Sequence, residues 1–200
     1  MAEETHKDYA GAKLGMWLFL FTEIILFGGL FILYAVYLHQ FPEEFVRASN
    51  ELSLAFGTVN TLVLLTSSLC VALAVTAIQR GEARRTQWLL AATVLAALLF
   101  LLNKYFEWMD KIRHGVYPDS PVLAQRPPGE VVFFGLYFIT TGLHALHVII
   151  GGGLIVWVLL LLRRRRVHRD DYVTLENSGL YWHLVDLIWI FIFPLYYLII

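Results

Sequence analysis

The side chains able to do chemistry in this sequence are few, and nearly all stand inside apolar runs. Glu23 lies among Phe21, Ile24, Ile25, Leu26 and Phe27, and His144 and His147 stand three apart between Gly142 and Gly151. His183 and Asp186, also three apart, share a run from Tyr181 to Trp189 with three aromatics, while Lys104 and Glu107 close another apolar stretch. On a helix, three-residue spacing puts both members of a pair on one face. A bare charge at membrane depth costs several kcal/mol unless it faces a protein interior and finds partners, so each of these groups marks a buried polar contact.

The surroundings of Glu23 penalise a bare carboxylate unless a cation lies near. Two roles fit: a proton-handling or regulatory carboxyl, or a protonated acid that hydrogen-bonds a neighbouring helix. Placed by depth, Glu23 is about 13 Å into its helix, near mid-membrane. His147, Asp186 and His183 are expected to meet it in one half of a bundle, with His144 on the same face as His147. Lys104 and Glu107 have the spacing of an intrahelical ion pair. Tyr105 and Trp108 beside them suit a membrane boundary.

Metal and heme chemistry find little support. Two hemes stacked in a bundle need axial histidines most of a membrane apart on one helix, whereas His144 and His147 are one turn apart. No H-E-x-x-H run offers a catalytic zinc site. The lone Cys70 is remote in sequence from every histidine, which argues against a copper–thiolate centre and suits a packing residue. Neither a G-x-S-x-G elbow nor a phosphate-binding glycine loop occurs, so no catalytic centre is expected within the chain.

The elements that position these groups follow from composition. In 200 residues, 58% hydrophobic and 15% aromatic, with a mean hydropathy of +0.65, there is more apolar surface than a soluble domain could bury. Five runs can each cross a bilayer as a helix: 14–37, 52–78, 88–109, 131–162 and 180–200. None alternates as a barrel strand would. The expected fold class is therefore all-α, a single polytopic membrane domain of five transmembrane helices. The first run is too long for the apolar part of a signal peptide and should remain in the mature protein. A net charge of -1 argues against nucleic acid as a partner.

Short loops rich in Lys and Arg stay cytoplasmic. Lys7, Lys13, Arg80, Arg84, Arg85, Arg163 to Arg166 and Arg169 give one side ten such residues, against four on the other: Arg47, Lys111, Arg113 and Arg126. This places the N-terminus in the cytoplasm and the C-terminus on the outer, periplasmic side. The arginines after the fourth run act as a topology anchor or clamp an anionic lipid phosphate. Gly28, Gly29, Gly57, Gly142 and Gly151 to Gly153 mark close helix approach.

Four segments together resemble subunit III of the heme-copper terminal oxidases, chiefly cytochrome c oxidase. They are Thr22 to Phe31, which bears Glu23; Asn60 to Ser68; Gly142 to Gly151, similar to the family's G-x-H-x-x-H-V-x-x-G; and Tyr181 to Trp189, similar to Y-W-H-F-V-D-x-V-W with Leu184 in place of Phe. Lys104 to Trp108 also resembles a family K-x-Y-E-Y run, with Phe106 and Trp108 substituting.

The resemblance implies a chain that carries no heme or copper. It would pack on a heme-bearing catalytic subunit I beside a copper-bearing subunit II, bind phospholipid and support proton uptake in a proton-pumping cytochrome c oxidase of the bacterial inner membrane. By that analogy Glu23 is the family's buried carboxyl, while His144, His147, His183 and Asp186 are its polar bundle contacts. Arg163 and Arg164 stand near its lipid-headgroup positions. Longer members have seven helices with a lipid-filled cleft between the first two and the rest, and this chain matches only the latter five. A quinol oxidase or nitric oxide reductase subunit is the alternative within the family. A small proton or ion channel is the alternative from another class, disfavoured by the lack of an internal repeat.

Overall fold

In the computed structural model, which describes residues 9–198, the chain is all-α and 85% helical. The helices are α1 (Tyr9–Gln40), α2 (Pro42–Ser49), α3 (Leu54–Gln79), α4 (Ala83–Arg113), α5 (Pro128–Arg163) and α6 (Val173–Tyr197), with a 3-10 turn at Leu123–Gln125. All but α2 are long and apolar enough to cross a membrane. Helices are the natural solution there, because each satisfies its own backbone hydrogen bonds without water. The chain is a multi-pass membrane protein.

α3, α4, α5 and α6 form a closed ring of neighbours, α3 against α4, α4 against α5, α5 against α6 and α6 against α3. α1 lies outside that ring across α5 and α6, and is the least enclosed spanning helix. Between these elements runs an aromatic core in which Tyr34 meets Tyr196 at 4.8 Å and Phe45 meets Phe133 at 5.3 Å, edge to face. In lipid, where tails are as apolar as leucine, such packing rather than water exclusion holds helices together.

Each of the five spanning helices extends beyond its apolar run at one end or both, α3 by a single residue. The polar first turns of α6 continue the helix because they have partners: Lys13 pairs with Glu176 at 2.9 Å, and Asn177 donates to the Ala12 carbonyl at 3.3 Å. Residues 199–200, the end of the expected fifth span, lie outside the described residues.

α2 was not expected. Pro42 opens it, Glu43 and Glu44 occupy its first turn, and Phe45, Ala48 and Ser49 are buried. The Glu44 carboxylate accepts from the Gly129 amide, and Ser49 donates to the Tyr196 carbonyl at 2.8 Å. This short helix thus caps the end of the bundle where α5 begins and α6 ends.

α3 ends in a Schellman turn: Gly81 at φ +78° donates to Ile78, and Glu82 to Ala77. α5 ends in the same bond pattern with Arg165 at φ +56°, so an arginine holds a left-handed position within the basic run. The loops carrying Arg80 to Arg85 and Arg163 to Arg169 lie at one end of the bundle, joined by a 3.3 Å hydrogen bond from Gln79 to the Tyr172 hydroxyl. Lys13 joins them there through Glu176, while Lys7 lies outside the described residues.

The glycines divide. A Cβ at Gly57 would come within 2.7 Å of Phe193 and one at Gly151 within 2.9 Å of Trp182, both real close approaches. Gly28, Gly29 and Gly153 have nothing within 4 Å of that position, so close packing inside this chain does not account for them.

Candidate functional site

Glu23 and His147 meet. α1 crosses α5 so that Glu23 Oε2 lies 2.8 Å from His147 Nε2, with both side chains largely enclosed, 13% and 9% exposed. His147 Nδ1 is 2.7 Å from the Leu143 carbonyl, one turn back on the same helix. A carbonyl can only accept, so Nδ1 carries a hydrogen and Nε2 faces the carboxyl. The contact therefore holds one proton between two bases, written either as a carboxylic acid donating to imidazole or as an imidazolium donating to carboxylate. The pair is neutral overall in both forms, which is what an apolar setting tolerates. Phe27 packs edge-on to the imidazole at 5.3 Å, and Tyr181 of α6 stacks at 6.4 Å.

His144, one turn earlier, serves a different interface. It is fully buried between Phe100 of α4 at 5.4 Å and Trp189 of α6 at 5.2 Å, and neither ring nitrogen has a hydrogen-bond partner among the described residues.

Lys104 and Glu107 form their ion pair at 2.9 Å, enclosed by protein with side chains 4% and 2% exposed. Lys104 Nζ also donates to the Tyr197 hydroxyl at 2.7 Å and the Tyr137 hydroxyl at 3.2 Å, and the Tyr197 hydroxyl donates to Glu107 Oε1 at 2.6 Å. The ammonium lies 4.9 Å from the Tyr137 ring centroid and 5.2 Å from that of Trp189. Three helices thus close on one pair, which faces the interior of the bundle near the end of α6. Of the neighbours expected at a membrane boundary, Tyr105 is exposed, whereas the Trp108 ring packs on Phe138 at 5.1 Å.

His183 and Asp186 belong to a third group. His183 Nδ1 is 2.6 Å from Ser68 Oγ on α3, and Ser68 also adjoins Asp186, which is 4% exposed. The expected meeting of all four polar residues is therefore divided: Glu23 with His147 on the α1–α5 crossing, and His183 with Asp186 on the α3–α6 seam. That seam is reinforced by Trp182 donating to Ser67 at 3.0 Å and Trp189 donating to Thr61 at 2.9 Å. Arg163 and Arg164 are exposed at the end of α5.

Sequence reasoning missed Ser68, Tyr137 and Tyr197 as partners. A hydroxyl within an apolar run was the one signal available for them.

A family model described as cytochrome c oxidase subunit III matches residues 2–199. Cytochrome c oxidase subunit 3 of Thermostichus vulcanus is 30% identical over 97% of this chain and 89% of its own length. A probable quinol oxidase subunit 3 of Staphylococcus haemolyticus is 28% identical over 94% of this chain and 88% of its own. The heme-copper oxidase subunit I+III of Aeropyrum pernix is 29% identical over 92% of this chain, which spans only 22% of that fused polypeptide. A family match over nearly the whole length, residues 2–199, places this chain in the cytochrome c oxidase subunit III family.

Proposed function

We propose that the chain is the non-catalytic third subunit of a proton-pumping cytochrome c oxidase in a bacterial inner membrane. It would be seated against a heme-bearing subunit I, with copper in subunit II, and those partners would hold the cofactors. The observation that carries this reading is the Glu23–His147 contact. It is an acid–base pair with one shared proton on α1, the helix that the rest of the bundle encloses least. Such a pair can pass a proton towards a neighbour, and the bundle behind it supplies the scaffold. The Aeropyrum relative, in which subunits I and III form one polypeptide, supports a direct seat on subunit I.

The concentration of arginine at one end of the bundle supports a cytoplasmic N-terminus, with Arg163 and Arg164 exposed towards phospholipid headgroups. The Staphylococcus relative, almost as similar as the Thermostichus one, favours a second reading in which the complex oxidises quinol.

A tagged chain solubilised in mild detergent should bring down a larger heme-bearing polypeptide, whose heme is reduced by cytochrome c on the first reading and by quinol on the second. Isolation of the chain alone, with proton or ion flux when reconstituted in liposomes, would instead make it a small channel.

A further inference from the structure

Away from the Glu23–His147 contact, α1 and α6 part and leave a groove along the membrane face. Two apolar cavities of about 420 and 230 Å³ adjoin along it, sharing Ile24, Leu184 and Leu187. On α1 its lining runs from Trp17 to Phe31, about 21 Å of helix. His183 is the one ionisable residue that lines it. Ser68 fixes the imidazole through Nδ1, and among the described residues Nε2 has no protein partner.

Depth decides what such a groove can hold. Lys13–Glu176 and Asn177–Ala12 clasp α1 to α6 at the loop end, and His183 lies seven residues past Glu176, about 10 Å further in. A phospholipid whose charged headgroup remains outside the groove can place only an acyl chain there, which leaves His183 Nε2 without a hydrogen-bond partner. A neutral ring bearing oxygen atoms can descend to His183, lie against Trp17 and Phe21, and trail an apolar tail past Leu187 towards Phe31 and Phe191.

We propose that this groove binds an isoprenoid quinone or quinol, with His183 Nε2 hydrogen-bonded to a ring oxygen. Both redox forms fit. When Ser68 donates to Nδ1, Nε2 carries the hydrogen and donates to a quinone carbonyl. When Ser68 gives its hydrogen to Asp186, Nδ1–H donates to Ser68 and Nε2 accepts from a quinol hydroxyl. This is a binding site with no electron transfer assigned to it, and it is independent of the electron donor named above.

The test uses the complete chain with whatever partners accompany it, in nanodiscs of quinone-free phosphatidylcholine, labelled with a photoreactive azidoquinone and mapped by mass spectrometry. Peptides of α1 and α6 around Trp17 and His183 should be labelled, and decylubiquinone should compete. His183→Leu should weaken half-saturation roughly tenfold, the loss of one hydrogen bond in an apolar site. Leu187→Trp, at a lipid-exposed position, should block labelling while leaving yield and helicity unchanged. Equal labelling of wild type and His183→Leu overturns the proposal. So does displacement of the label by phosphatidylglycerol but not by decylubiquinone, which would make the groove a phospholipid site. Because labelling is read on this chain's own peptides, the result stands apart from whether a heme-bearing partner co-purifies.

Discussion

Two acid–base pairs are built into the same bundle, and they are built oppositely. Lys104–Glu107 is closed on all sides: α4 supplies both charges, α5 and α6 supply tyrosine hydroxyls, and every strong donor and acceptor has a partner. Glu23–His147 joins two helices through a single contact on the outlying α1, with its second imidazole nitrogen committed to a backbone carbonyl. Saturated partners hold a charge pattern fixed, whereas one proton shared by two bases can move at little electrostatic cost. On the proposed reading the first pair would be scaffold and the second would be free to move a proton.

Breaking the scaffold pair from one side gives the largest effect. Lys104→Met strands Glu107 among aromatics and should cost about 3–5 kcal/mol, the penalty for half of a buried pair, seen as loss of folded protein on heating in detergent. Lys104→Met combined with Glu107→Met should recover most of that loss. No recovery would mean that the tyrosines, not the charges, fix the three helices.

Next, Gly57→Ala pushes a methyl into Phe193 and Tyr197 and should cost about 1–3 kcal/mol by the same assay, since Tyr197 cannot move without releasing Lys104. A smaller effect is expected at the Glu23–His147 pair. Glu23→Gln keeps a donor towards His147 Nε2 and should change stability by about 0.6 kcal/mol or less, the average for a hydrogen bond between membrane helices. Glu23→Ala, which leaves Nε2 unpartnered, should exceed it. Equal losses for the two variants would remove the hydrogen bond from the account.

The five spans were legible in composition and run length alone, because a lipid solvent leaves a helix little choice. Their polar ends were not, since the first turns of α6 depend on Lys13 and Ala12, partners 163 and 165 residues away in sequence. α2 carried a readable signature in Pro42, Glu43 and Glu44, but the pattern is short and lies between two long apolar runs.

At the site, residue type and depth identified Glu23 and His147 as polar groups needing partners. Helix rotation decided which partners they found. Nothing local distinguishes the Ser68 hydroxyl, which meets His183, from the Thr66 hydroxyl, which bonds its own helix at Leu62. His144 shows the same limit: three residues from His147, it turns to Phe100 and Trp189, while His147 turns to Glu23.

The division between a fixed pair and a working one is tested most directly by proton uptake during turnover of the assembled complex carrying Glu23→Gln at full heme content. The account predicts slower uptake or a shorter working life, with assembly unchanged. Uptake and lifetime equal to wild type over prolonged turnover would contradict it and reduce Glu23–His147 to a second piece of scaffold.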